Sequence, residues 1–476
     1  MVFPVVGGNE SKGYEISNSL RFNDDDSASL SFTPSGNPTD ADKFTISCWI
    51  KLGNIGVNNA KIYDTGGSDD NNRFALQFQG TNSTLMTSNN SGVSIITSQV
   101  LRDPSAWYHV VAAIDSQNST TNNKHIIYVN GVQADIGTNN LGSTSQVGAM
   151  TNGVAQYIGR NGGADNSHFD GYMTEFHFVD GQQLAPTSFG EFDDNGVWIP
   201  KKYSGTYGNN GFFLQFKQTG TSQNSSGIGA DTSGNDNHFA VSNLAALDVT
   251  EDTCTNNFMT LNSISNYYQQ STFSEGNTKT VTASSPYAYD IGTIGLTKGK
   301  WYWEIKPTGS SGSDTVYVLG VSGQQVTANT QQLGSGAYEW AWYAIDGNIR
   351  HNGGSASGWS NVTYTTNDII GIAMDLDNNK IYWSKNGTFQ NSGDPTSGST
   401  GTGAVALTDP ASVPLGAYFI AVSYYDNSGQ GTFECNFGNP AFSISSGNND
   451  GKYGNFEYAP PSGYYAICTK RLAEFG

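Results

Sequence analysis

Apolar and polar residues along this chain alternate with a period of two, in short runs bounded by Gly, Asn and Asp; a helical period is almost absent. In the run 44–50 (FTISCWI), Phe44, Ile46, Cys48 and Ile50 share one face, as in a strand with one side turned to a core. Further strands are predicted at 107–115 (WYHVVAAID), 126–129, 157–160 and 171–179 (GYMTEFHFV). The run 126–129 ends in Asn130-Gly131, a dipeptide suited to a tight turn with positive φ. The second half repeats this grammar at 301–305 (WYWEI), 316–321 (VYVLGV) and 340–345 (WAWYAI). A hairpin follows, made of 369–376, the Asp377-Asn378-Asn379 turn and 380–383, and it leads into Asn386-Gly387. Each half thus has a Trp-Tyr strand, a strand ending at an Asp (Asp115, Asp377) and a strand leading into Asn-Gly. The aligned identities are too few for a duplication, but the shared order predicts two sandwiches of similar type.

Between the halves, 200–285 carries weaker strand signal, interrupted by 212–216 (FFLQF), which is expected to complete the first sandwich. Residues 388–404 read as a long polar loop, mobile or functional, and 464–475 as a tail that packs against a domain or a partner. The predicted fold is all-β: two tandem antiparallel β-sandwiches. Its parts are an N-terminal arm (1–13), a first sandwich (14–200), a connector partly completing it (201–284), a second sandwich (285–445) and a tail (446–476).

Composition sharpens this picture. Charged residues make up 13% of the 476, about half the ~25% of an average globular protein. Glycine (58) is abundant and aromatics reach 12%, which is too aromatic for a disordered chain and suits many short strands joined by polar turns. The net charge of −19, from 22 basic and 41 acidic residues, repels phosphate backbones, and no Lys/Arg cluster overrides it. Nucleic acid is therefore not an expected partner. The four cysteines (Cys48, Cys254, Cys435, Cys468) lie far apart without CxxC or Cys/His spacing, so neither a zinc site nor a disulfide framework is indicated. Cys48 and Cys435, inside strand-like runs, are expected as small buried hydrophobes. The start, MVFPVVGGNES, lacks the pattern of a signal peptide, and no run of ~18 apolar residues exists to span a membrane. A soluble protein made in a reducing cytoplasm is expected.

At this point the motifs resemble known families. SLRFNDDDSASLSF and FTISCWIK, then WYHVVAAID, IYVNG and FDGYMTEFHFV, resemble a laminin-G-like, concanavalin-type domain over 14–200. GKWYWEIKP (299–307), LGVSG (319–323), IRHNGG (349–354), NDIIGIAMDLDNNKIYWSKNG (367–387) and CNFGNPAF (435–442) resemble a SPRY domain over 285–445. Their order, together with QQLAPTSFGEF, GFFLQF, the turn at 229–237, DTCTNNFMTLN (252–262) and the closing YYAICTKRL (464–472), resembles structural proteins of tailed bacteriophages, notably marine ones. In those proteins such modules occur in tail fibres, host-recognition appendages and other virion components. The resemblance implies a virion location after synthesis in the host bacterial cytoplasm. It also implies other virion proteins as partners, several copies or a homo-oligomer on the particle, and a host-surface glycan or receptor as ligand.

The concanavalin-type fold also hosts glycoside hydrolases, which need two carboxylates about 5–5.5 Å apart for retaining chemistry. One such family carries Glu-x-Asp-x-x-Glu. The nearest approach, Glu191-Phe192-Asp193-Asp194-Asn195-Gly196, lacks the last carboxylate and is expected to lie in a loop. Asp375 and Asp377 stand two apart, but Asp377 opens a turn. The six histidines (His109, His125, His168, His177, His238, His351) are scattered, with no HExxH, no Gly-x-Ser-x-Gly and no P-loop. No catalytic residue is nominated, and the protein is not expected to be an enzyme. Laminin-G-like domains often bind calcium through acidic loops, and the clusters Asp24-Asp25-Asp26, Asp64 with Asp69-Asp70, and Asp193-Asp194 could supply oxygens for it in the first domain. None has EF-hand spacing, and no ligand set is assigned.

Sugar binding or partner recognition is the more natural use of the aromatics, whose flat apolar faces carry a polar handle. Tyr338, Trp340 and Trp342 share one strand face, expected as core. Trp359, between Ser and Gly residues, is expected to be exposed. The binding candidates are Trp359, Tyr424, Tyr425, His351 and Asn352. In SPRY domains partners are recognised by loops at one end of the sandwich, which here would include 324–337, 351–362 and 388–404. Three functions follow: a tail fibre or spike component attaching to the host surface, a capsid decoration or head-fibre protein, and a secreted glycan-acting enzyme. The chain has neither heptads nor fibrous repeats, which weighs against a complete long fibre.

Overall fold

A computed structural model describes residues 13–476 except 67–72, 82, 90–91, 143–146, 266–267, 269, 284–286, 288, 313–315, 329, 356–358, 360–361 and 427–428. The arm and the Asp69-Asp70 pair therefore lie outside the described residues. The chain divides into two compact units, Ser11–Thr255 and a second containing Asn256–Gly476.

The first unit is built on Lys43–Leu52, which pairs antiparallel along its length with Trp107–Asp115 on one side and Gly171–Asp180 on the other. Its sheet runs Val132–Gln133, His125–Val129, Trp107–Asp115, Lys43–Leu52, Gly171–Asp180, Ser19–Phe22, Val249–Thr250, and Phe212–Leu214 also pairs with Gly171–Asp180. A second sheet contains Ile136–Asn139, Ser94–Val100, Thr84–Ser88, Ala75–Gln79, Lys61–Thr65, Gln156–Ile158, Ser29–Phe32 and Ala240–Ser242. The period-two face holds: Phe44, Ile46, Cys48, Ile50 and Leu52 are buried in the core between the sheets. Of the 212–216 run, Phe212–Leu214 pairs antiparallel with Gly171–Asp180 in the first of these sheets. The turn after Val129 is as expected, with Asn130 at φ +48 and Gly131 at φ +80. A glycine is required there, because a Cβ on Gly131 would lie 2.3 Å from the Trp198 ring.

Lys43–Leu52 is buried on its other side as well, under residues from both ends of the unit. Ile16, Trp49 and Trp198 pack there, with Tyr14, Trp107 and Cys254 around them. Lys51, 1% exposed, meets the fully buried Asp252 at 2.8 Å, and Trp107 Nε1 donates to the other Asp252 oxygen at 3.1 Å. A charged pair at this depth persists only because each charge compensates the other.

The second unit has an eight-stranded sheet containing Lys300–Ser310, Ile370–Asp375, Lys380–Lys385 and Gly431–Asn436. Its partner has six strands, in the order Tyr289–Ile291, Phe419–Tyr424, Tyr317–Ser322, Glu339–Tyr343, Ile349–His351, Gly354–Ser355. Trp301, Trp303, Trp342 and Trp383 are fully buried between them. Trp342 and Trp383 donate their indole N–H to the carbonyls of Gly347 and Leu319, each at 3.1 Å, as buried indoles usually do. The second Asn-Gly turn matches the first, with Asn386 at φ +49 and Gly387 at φ +79.

Loop 388–404 departs from expectation. It does not stand at an end of the sandwich; it lies over the outer face of the eight-stranded sheet, where Phe389 and Ala404 pack with Tyr302, Tyr382, Phe456 and Tyr464. Tyr464 donates its hydroxyl to the Pro395 carbonyl at 2.9 Å, so loop and tail cover this face together. The tail ends in a helix, Thr469–Phe475, whose Arg471 grips Asp450 through two nitrogens at 2.8 and 2.9 Å. Among the described residues no helix is long and apolar enough to cross a membrane. All four cysteines are free, and Cys48 and Cys435 are fully buried as expected; burial pushes both thiols well above their usual range.

Candidate binding site

Glu339–Tyr343 and Ile349–His351 are joined by a tight turn in which Gly347 takes φ +69 and Asp346 Oδ1 accepts the Asn348 N–H at 3.0 Å. That turn projects Ile345 into solvent, 48% exposed, and brings Arg350 back beside Tyr343. The guanidinium lies 4.9 Å from the Tyr343 ring centroid and pairs with Asp346. Next to them the strand Phe419–Tyr424 ends, and alternation sends Tyr424 inward at 2% exposure and Tyr425 outward at 36%. Tyr425 lies 5.8 Å from Tyr343 and 4.9 Å from the half-buried Tyr287, ring centre to ring centre. Tyr343 is the floor, 5% exposed; Tyr425, Tyr287 and Ile345 are the open rim. Burial first, and then the neighbouring Tyr425, push the Tyr343 hydroxyl up to about 12, so it stays a hydrogen-bond donor at neutral pH.

Of the residues nominated from the sequence, only Tyr425 belongs to this cluster. Trp359 is not exposed: it is 8% exposed and packs edge-on against Trp342 at 6.1 Å and Trp383 at 5.5 Å. Tyr424 packs inside against Tyr317. His351 lies flat on Trp340 at 4.4 Å, and its Nδ1–H donates to the Glu339 carbonyl at 3.0 Å. Asn352 is exposed at φ +52 and donates its N–H to Gly336, tying that turn to loop 324–337 at the opposite end of the strand from Tyr343. The loop is held by one buried carboxylate. Glu339 accepts from Tyr289 at 2.7 Å, Gln331 at 2.8 Å, and the backbone N–H groups of Gly334 at 2.8 Å and Gly336 at 2.9 Å. Tyr343, Tyr287, Ile345 and Arg350 went unnominated. The signal was there for Tyr343: in YEWAWY it falls on the face opposite Trp340 and Trp342.

The first unit carries open aromatics of its own among the described residues: Phe192, 53% exposed, lies against Trp198 at 4.9 Å, and the half-buried Tyr203 and Tyr207 are 5.1 Å apart. Ser47 Oγ and His109 Nε2 are 2.8 Å apart, the geometry of a nucleophile and its base. Trp198 Nε1 donates to His109 Nδ1 at 3.0 Å, which fixes the proton on Nε2. His109 therefore donates to Ser47 and cannot take its proton, and burial pushes the imidazole down to about 3. Glu191 lies in a strand, Gly190–Phe192, rather than in a loop. It is exposed and faces Lys201 at 3.4 Å, while Asp193 Oδ1 accepts the N–H groups of Asn195 and Val197 in the following turn. Asp377 is a turn residue as expected, accepting from Gly299 at 3.0 Å.

Asp64 stands in a buried ion cluster rather than an open acidic loop, 2.8 Å from Arg73 and 3.7 Å from Lys61. Burial raises its carboxyl to about 6 against the pull of both cations. In the stretch 23–27, Asn23 holds the Asp25 N–H and bonds to Asp26, and Asn243 donates to the Asp26 carbonyl at 2.8 Å, so the acidic residues form a hydrogen-bonded turn. Among the described residues no three acidic, histidine or cysteine side chains converge where a metal ion could sit.

Comparison with known proteins agrees with this architecture. Residues 24–185 match the family model described as the Concanavalin A-like lectin/glucanases superfamily, and residues 300–436 match that of the SPRY domain. No curated protein matches the chain. Among solved structures, the SPRY domain of human HERC1 is 18% identical, covering 33% of this chain and 86% of that one, with a TM-score of 0.26. A heptameric SAP-like pentraxin from Limulus polyphemus is 16% identical, covering 36% of this chain and 80% of that one, with a TM-score of 0.27. At such scores neither likeness bears on function. The two family matches give a concanavalin-like domain followed by a SPRY domain.

Proposed function

We propose that this chain, a concanavalin-like domain followed by a SPRY domain, is a non-catalytic adhesion protein whose tyrosine cluster on the second unit takes a glycan. The observation that carries the reading is the rim of Tyr425, Tyr287 and Ile345 over Tyr343, with Arg350 and Asp346 at its edge. Flat aromatic faces stack on the C–H faces of sugar rings, and nearby charged and hydroxyl groups bond the ring hydroxyls. The buried, reversed Ser47–His109 pair and the solvent-facing Glu191 support binding over hydrolysis. A glycan array with the full chain tests this: binding that Tyr425→Ala abolishes is expected, and binding indifferent to Tyr425 would overturn it.

The setting we propose is a tailed-phage virion, with the chain in several copies on a tail fibre or spike, meeting a host-surface glycan. Support comes from the motif order along the sequence, from the laminin-G-like runs to the closing YYAICTKRL. A second reading, decoration of the capsid, is favoured by the absence of heptads and fibrous repeats. Labelled antibody on purified particles separates them. Label at the tail supports the fibre, label over the whole capsid supports decoration, and no label on particles overturns both.

A further inference from the structure

We propose that the folded chain joins Lys61 to Gln77 through their side chains, forming an amide bond and expelling ammonia. Lys61–Thr65 and Ala75–Gln79 are neighbouring antiparallel strands, and Lys61 stands opposite Gln77 in their register. Leu76 and Phe78 belong to the core, so Gln77 and its partner lie on the other face of the sheet. Both side chains are buried there, and Lys61 Nζ rests against Gln77 Oε1. The Gln77 Nε2, which would leave, donates to Oδ1 of the half-buried Asn59 at 3.0 Å. Asp64, fully buried, places Oδ2 3.7 Å from Nζ, and its Oδ1 has no hydrogen-bond partner. A nucleophile, an acyl group and a group that can carry protons thus meet in one buried cluster.

The charges of this cluster do not balance as they stand. Among the described residues Lys61 and Arg73 share one carboxylate, Asp64, and Arg73 holds it more closely, at 2.8 Å. A buried ammonium without a carboxylate of its own is costly. Burial first, and then the Arg73 guanidinium, push Lys61 toward its neutral form against the pull of Asp64, which is how a lysine becomes a nucleophile. In the reaction Asp64 takes one proton from the Lys61 ammonium. The freed electron pair of Nζ bonds to Gln77 Cδ, and the C=O pair moves onto Oε1. As the carbonyl re-forms, the Cδ–Nε2 bond breaks, Nζ gives up a second proton, and Nε2 leaves with both protons as ammonium. Nothing is oxidised or reduced, and the ammonium carries the surplus charge to water. Well-oriented partners within one molecule reach effective concentrations of roughly 10⁵–10⁸ M, and here the strand pairing holds them together. The product is a covalent clasp between two strands of the first unit.

The test is the mass of the full chain, purified and then unfolded in guanidinium so that only covalent bonds persist. Wild type is expected to be lighter than its sequence by one ammonia. A protease digest is expected to yield a branched peptide joining the segment with Lys61 to the segment with Gln77. The digest separates this bond from ammonia lost at an Asn-Gly turn, which leaves the two segments apart and would count against the proposal. Lys61→Arg keeps the cation and removes the nucleophile, so its chain should have full mass. Asp64→Asn should lower the joined fraction about tenfold or more, with thermal melts showing that each variant folds. Wild type of full mass, with Lys61 and Gln77 recovered on separate peptides, would overturn the proposal, and that outcome needs no variant. A joined fraction that Asp64→Asn leaves unchanged in folded protein would overturn the proton route through Asp64.

Discussion

Lys51→Met isolates the buried anchor of the first unit. Lys51 and Asp252 are 1% and 0% exposed and stand 2.8 Å apart, joining the central strand to the last segment of the unit across some two hundred residues of chain. Removing the ammonium leaves a carboxylate buried with neutral donors such as Trp107 Nε1, which cannot repay the desolvation of a full charge. Breaking one partner of such a pair costs roughly 3–5 kcal/mol. For a unit of this size each kcal/mol moves the Tm by roughly 2–4 °C, so its transition falls by roughly 6–20 °C. Differential scanning calorimetry of the full chain reads this as one transition moving while the other stays. The double variant Lys51→Met, Asp252→Leu replaces the pair with apolar side chains and is expected to recover most of the loss. A cost below about 1 kcal/mol for the single variant, or a double variant as unstable as the two singles summed, would refute the reasoning.

Three further outcomes follow from the same structure. Gly131→Ala places a Cβ 2.3 Å from Trp198 at a φ of +80, and should lower the first transition by an amount equivalent to about 2 kcal/mol or more, read by the same calorimetry. Glu339→Gln removes the charge that holds four donors, so amide hydrogen exchange across 324–337 should speed at least tenfold while the strands keep their protection. Burial raises the Asp290 carboxyl to about 7, above its unfolded value of ~3.9. Its contribution is therefore complete below pH 4 and is lost as pH rises through 7. Asp290→Asn should match wild type in urea titrations at pH 4 and exceed it at pH 8, by up to roughly 4 kcal/mol.

Much of the fold was legible because period-two alternation and Asn-Gly turns are local. Face assignments such as Phe44, Ile46, Cys48 and Ile50, and the turns at 130–131 and 386–387, depend only on the pleat and on positive φ. What was lost depends on contacts distant in sequence. Trp359 sits in a polar loop, yet a loop's composition describes its backbone and not where its largest side chain goes; here the ring fills the space between Trp342 and Trp383. Tyr424-Tyr425 showed that one ring faces in and one out, and the strand's phase decided which. The covering of the eight-stranded sheet by 388–404 had a signal in WYWEI and KIYW, where apolar residues occupy both faces of the strand. Continuous apolar runs mean a sheet buried on both sides.

The central claim is that the chain binds a glycan through the tyrosine cluster and leaves it intact. One titration of a purified glycan ligand into wild type and Tyr425→Ala, with reducing ends assayed in the recovered mixture, tests it most directly. The account predicts a loss of at least tenfold in affinity for the variant, as expected for one stacked aromatic worth about 1.4 kcal/mol or more, with unchanged melting and no new reducing ends. Equal affinity in the two proteins, or reducing ends released by the wild type, would contradict it.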